Sequence, residues 1–70
     1  MLGSPEISIV IPVYNEEESL PQLFKELYPV MENLQRSFEI IFINDGSRDK
    51  SFAMLYDFQK EHEKTVRVID

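Results

Sequence analysis

The sequence predicts an α/β fold: a parallel three-stranded sheet built in the order β-α-β-α-β. Three observations predict it. Two apolar, largely β-branched runs, residues 6–13 and 38–43, each end in a polar turn. Each is followed by a stretch with apolar residues at helical spacing. A third short run, Val66-Arg67-Val68-Ile69, closes the chain. Crossovers of this length join parallel strands through right-handed connections, and consecutive strands usually pair, so the expected spatial order is 3-2-1. Both polar turns then fall on one edge of the sheet, at the carboxyl ends of the strands, where open α/β sheets bind ligands.

Strand one covers residues 6–13. Ile7, Ile9, Val10, Ile11 and Val13 make a nearly unbroken run, which suits a strand covered on both faces. Pro12 has no N–H for a central ladder, so pairing is expected to stop about there. The first helix starts at Ser19-Leu20-Pro21-Gln22, with Ser19 as N-cap, Gln22 as its capping-box partner and Pro21 in the first turn. Leu20, Leu23, Phe24, Leu27, Val30, Met31 and Leu34 then form one core-facing stripe. Pro29 is expected to kink this helix or end its first half. Strand two covers residues 38–43. Ser47 or Asp49 can cap a second helix over residues 50–62. Phe52, Leu55, Tyr56 and Gln59 share a face of it, with Phe58 beside them. Strand three is residues 66–69.

With 70 residues the chain holds one domain at most. A hydrophobic content of 43% excludes a disordered composition, and the absence of Cys excludes disulfides and Cys-based zinc sites. A net charge of -6 argues against a nucleic-acid partner, because Arg36, Arg48 and Arg67 are scattered rather than clustered. It does not exclude a nucleotide, since a divalent cation can bridge carboxylates and a diphosphate. No apolar run approaches the roughly 20 residues of a membrane span, and the first residues lack a signal-type core. A cytoplasmic setting is expected.

Four residues stand out as site candidates. Tyr14 follows strand one, where its ring can stack on a flat heterocycle, an interaction worth roughly 1–3 kcal/mol by analogy with base stacking; the alternative is packing over the strand end. Asp45 follows strand two. A carboxylate only accepts hydrogen bonds, so it suits the N–H face of uracil or guanine and pairs poorly with adenine. Its alternative is an Asx-turn in Asn-Asp-Gly. Glu16 or Glu17 can reach a ribose hydroxyl or simply favour the helix N-terminus; Glu16 is the preferred candidate. Gly46 is expected to supply a positive-φ turn. Ser47 and Asp49 read as caps, and His62 as a solvated or dipole-complementing residue near a helix end. No Gly-rich phosphate loop and no Ser-His-Asp spacing is present.

Val10-Ile11-Pro12-Val13-Tyr14-Asn15-Glu16-Glu17, followed by Asn44-Asp45-Gly46-Ser47-Arg48-Asp49, resembles the start of glycosyltransferase family 2, nearest to the polyprenyl-phosphate (dolichol-phosphate mannose synthase-like) members. The resemblance runs from Ile7 onward. It implies the N-terminal part of a GT-A, Rossmann-like domain, a UDP- or GDP-sugar donor, and inverting transfer to an acceptor such as a lipid phosphate at the membrane. Carried over, it marks Pro12, Tyr14, Glu16 and Asp45 as nucleotide-binding. Where many relatives have two aspartates in the second motif, this chain has Asn44-Asp45. The family's metal-binding Asp-x-Asp lies beyond Asp70, so Mg²⁺ or Mn²⁺ is expected of the parent protein with no ligands here. The acceptor site and catalytic base are likewise not matched. Residues 1–6 read as a flexible lead-in and 7–70 as an incomplete donor domain, inactive alone. Strand one is too apolar for a sheet edge and invites self-association. The alternative is a non-enzymatic doubly wound module, such as a phospho-receiver with Asp45 as acceptor.

Overall fold

A computed structural model of the chain describes residues 5–70. Its elements are β1 (Ile7–Val13), α1 (Leu20–Asn33), β2 (Phe38–Asn44), α2 (Ser51–Glu61) and β3 (Val66–Ile69). All pairings are parallel and the order is β1-β2-β3, the predicted 3-2-1 viewed from the other side. Most of the expected lead-in, residues 1–4, lies outside the described residues. Glu6 is tied down: its N–H donates to the backbone and hydroxyl oxygens of Ser37, and its carboxylate meets Arg36 at 3.3 Å.

Pro12 does not end the pairing, contrary to expectation. It lies opposite Ile43, and Val13 lies opposite Asn44. The ladder explains this. The Ile7 N–H donates to Ser37 O, and the Val13 carbonyl accepts from the Asp45 N–H. Alternate residues of a strand direct their backbone groups to opposite neighbours. The odd-numbered residues of β1 therefore face β2, while Ser8, Val10 and Pro12 face the free edge. The N–H that Pro12 lacks is one that β2 never needed.

The two helices cover a single face of the sheet. Phe24 of α1 stacks on Phe58 of α2 with centroids 4.1 Å apart and planes 5° from parallel. Ile40, Phe42, Leu55, Leu20, Val66 and Val13 form the fully buried centre beneath them. The other face is bare. Val10, Ile43 and Ile69 are exposed there, beside a Glu39–Arg67 ion pair at 3.6 Å. The apolar run of β1 thus alternates between a covered and an open face, which corrects the expectation of cover on both.

Both helices bury narrower or rotated stripes than predicted. In α1, Leu20, Phe24 and Met31 are buried, whereas Leu23, Val30 and Leu34 are exposed. Leu27 and Tyr28 complete the packed face. Ser19 is the N-cap residue but makes no capping bond; its hydroxyl turns back to the Glu16 carboxylate at 3.1 Å. Gln22 donates to Glu26 at 2.7 Å instead of closing a capping box. Pro29 sits within an unbroken Leu20–Asn33 helix. The carbonyl that loses its donor belongs to exposed Lys25, where water can replace the bond. In α2, Ser51 and Leu55 are buried, with Met54 and Phe58 against the core. Phe52 and Tyr56 face outward. His62 is half-buried rather than freely solvated: its ring lies 4.1 Å from Tyr28 and 5.3 Å from Phe24.

Candidate functional site

The polar turns after β1 and β2 meet at the carboxyl edge of the sheet. Val13 and Asn44 are partners in the ladder, and the Asp45 N–H donates to the Val13 carbonyl at 2.8 Å. Tyr14 and Asp45 thus leave neighbouring strand ends, and adjacent strands run only about 4.8 Å apart. Asn15 then takes a left-handed conformation, φ 49°, and Gly46 takes φ 71°. The amide of Asn15 and the missing side chain of Gly46 make these reversals tolerable.

The loops are fastened to each other reciprocally. Three consecutive N–H groups of the first loop reach side-chain oxygens of the second loop and of Ser51, the first residue of α2. Asn15 N–H donates to Ser47 Oγ at 3.0 Å, Glu16 N–H to Ser51 Oγ at 2.7 Å and Glu17 N–H to Asp49 Oδ2 at 3.2 Å. In return, Asn15 Oδ1 accepts the Arg48 N–H at 2.7 Å and Glu17 Oε1 accepts the Lys50 N–H at 3.2 Å. The residues that fasten alternate along each loop: Asn15 and Glu17 in one, Ser47, Asp49 and Ser51 in the other. Sequence reasoning missed this arrangement. The alternation of small polar residues was its visible signal.

Asp49 is central to the fastening. Besides the Glu17 N–H, it accepts the Ser51 N–H through Oδ1 at 2.9 Å, which satisfies one donor at the start of α2, although the N-cap position itself is Lys50 and not the expected Asp49 or Ser47. Burial works to raise its pKa, but hydrogen bonds from the Ser51 hydroxyl and from the backbone N–H groups outweigh it and hold the carboxyl below its ordinary value. Ser47 caps nothing in α2; its oxygen serves Asn15.

What remains on the rim is the set not consumed by fastening. Tyr14 is 58% exposed, so its ring does not pack over the strand end. Asp45 is exposed. The side-chain-to-backbone bond that closes this turn belongs to Asn44, whose Oδ1 accepts the Ser47 N–H at 3.3 Å. Asn44 also donates from Nδ2 to Asp70 at 2.7 Å, which explains an amide at this position: a carboxylate there would face another. Glu16 is exposed, and its carbonyl accepts the N–H groups of Ser19 and Leu20 at the start of α1. Glu17 is half-buried and committed to Lys50. Pro12 lies two residues back from Tyr14, exposed on the strand. The geometry therefore gathers Tyr14, Glu16 and Asp45, with Pro12 behind them. The concavity beside Tyr28, His62 and Thr65, about 450 Å³, lies at the opposite end of the strands.

Among the described residues no group of three or more His, Asp or Glu side chains is arranged to hold a metal ion. The Asp49 and Glu17 carboxylates are turned to backbone donors, the Glu17 and Lys50 N–H groups.

Comparison with known proteins bears on the same segment. Residues 8–70 match Glycosyl transferase family 2. The chain belongs to glycosyltransferase family 2. An uncharacterized glycosyltransferase of Synechocystis sp. is 52% identical over 65 residues, 93% of this chain and 20% of that protein. An undecaprenyl-phosphate 4-deoxy-4-formamido-L-arabinose transferase of Enterobacter sp. is 46% identical over 56 residues, 80% of this chain and 17% of that protein. A transferase of the same name from Pseudomonas paraeruginosa is 51% identical over 49 residues, covering 70% of this chain and 14% of that protein. The chain thus spans 14–20% of the length of these relatives. Its three parallel strands in β-α-β-α-β order are those of the N-terminal part of a GT-A, Rossmann-like domain. Membership in family 2 decides against the phospho-receiver alternative. Among the described residues no helix is long and apolar enough to cross a membrane.

Proposed function

We propose that this family 2 chain is the nucleotide-binding portion of an inverting glycosyltransferase, which takes a sugar from a UDP- or GDP-sugar and passes it to a polyprenyl phosphate. The observation that carries this reading is the common rim. Tyr14, Glu16 and Asp45 stand exposed on two loops that are fastened to each other. Tyr14 stacks on the base, Asp45 accepts from the N–H face of uracil or guanine, and Glu16 accepts from a ribose hydroxyl. Pro12 completes the floor beneath them. The acceptor class follows the two relatives that are undecaprenyl-phosphate transferases. Bond making belongs to none of these residues: they bind and orient the donor. The chain by itself transfers no sugar.

Titration with UDP, GDP and ADP tests the reading. UDP or GDP is expected to bind more tightly than ADP by about tenfold, as a paired against an unpaired polar edge predicts. Asp45→Ala is expected to abolish that preference. Equal binding of ADP, unchanged in Asp45→Ala, overturns the assignment. A radiolabelled sugar-transfer assay on the chain alone is expected to stay at background.

A further inference from the structure

We propose that Ser51 is a positioning residue: its hydroxyl fixes where the loop carrying Tyr14 and Glu16 stands relative to Asp45. Ser51 is fully buried. A buried hydroxyl requires partners, and those of Ser51 lie outside its own helix's hydrogen-bond ladder. It accepts the Glu16 N–H at 2.7 Å, and the backbone N–H of the same residue donates to Asp49 Oδ1 at 2.9 Å. Asp49 in turn holds the Glu17 N–H. One side chain in the first turn of α2 therefore holds the Glu16 amide directly, beside the Asp49 carboxylate that holds the next amide of the first loop. Helix formation does not account for a serine here, because Ala is the better helix former. Core packing does not either, because Ala fills nearly the same volume. The contact with Glu16 accounts for it.

The consequence for ligand binding rests on the nucleotide reading above; the consequence for the loop does not. The experiment compares Ser51→Ala, Ser51→Thr and a control, Leu55→Val, which weakens the core without touching either loop. Amide hydrogen exchange of Glu16, read against that of Ile40, reports the loop; titration with UDP and GDP reports the site. Ser51→Ala is expected to speed Glu16 exchange and weaken nucleotide binding, each by about tenfold, as loss of one buried hydrogen bond predicts. Ser51→Thr restores both. Leu55→Val lowers thermal stability and leaves affinity unchanged. Unchanged Glu16 exchange in Ser51→Ala overturns the proposal, as does an equal loss of affinity in Leu55→Val. If the wild type binds neither UDP nor GDP, the nucleotide reading fails, and Glu16 exchange alone decides the role of Ser51. Should Ser51→Ala not fold, Ser51→Cys keeps the volume with a poor acceptor and is expected to show the same loss.

Discussion

At the scale of single residues, the loops divide their polar side chains between holding and presenting. Asn44 illustrates the first task. Its amide donates to Asp70 and accepts from Ser47, two functions that a carboxylate cannot combine. Asn44→Asp places two carboxylates in contact and is expected to destabilise the fold by about 1–3 kcal/mol at neutral pH. The folded pair binds a proton more readily than the unfolded chain, so this penalty fades as the pH falls; urea denaturation across pH measures it. Asp49 behaves oppositely. Its carboxyl is held below the ordinary value, so its contribution is full above that value and is lost as the pH drops through the lower folded one. Asp49→Asn is therefore expected to separate from the wild type at neutral pH and converge with it in acid. Asp45 and Tyr14 were legible in the sequence because they follow apolar runs directly. The fastening was not, because its partners lie 32–35 residues apart, as in Asn15 with Ser47 and Glu16 with Ser51. No local pattern states which donor meets which acceptor across that distance.

At the scale of elements, strands were easier to read than helix faces. β-branched runs announce β1, β2 and β3 nearly to the residue, but amphipathic spacing allows a helix to roll. The Leu23, Val30 and Leu34 side of α1 was assigned to the core and lies outside it. The face of α2 is turned so that Phe58, not Phe52 or Tyr56, meets Phe24. Which apolar residues are covered depends on the facing layer, and one layer of helices on one face leaves some uncovered. Phe24 joins both helices to the sheet, touching Tyr28, Phe42, Phe58 and His62. Phe24→Ala is expected to cost about 3–5 kcal/mol, enough to unfold a chain this short, with loss of the far-ultraviolet helix signal as the measure. Pro29→Ala is expected to stabilise α1 by about 1–3 kcal/mol, by restoring an N–H to a helix that already runs through the position. A fall in melting temperature would contradict that account.

At the scale of the whole molecule, the chain is a sheet with one side dressed. Val10, Ile43 and Ile69 stand on the bare face, and β1 is an edge strand. Chains with such surfaces associate. Self-association is expected at high concentration, opposed by the net charge of -6 on each copy. Added salt screens that repulsion, so sedimentation should show more oligomer as salt rises. Val10→Lys should reverse the effect. A monomer at every concentration and salt level would remove this expectation. The matched segment is only 14–20% of each relative, so what covers the bare side in a longer protein is a separate matter from what two short copies do.

The placement of Pro12 limits any such zipper. A strand laid along the outer flank of β1 finds donors at Ser8 and Val10 but none at Pro12, the last rung before Tyr14. Docking there will fray at its rim end, leaving the mouth between the loops unsealed. An edge-seeking peptide should consequently protect the amide of Val10 from solvent while Tyr14 stays open to quenchers.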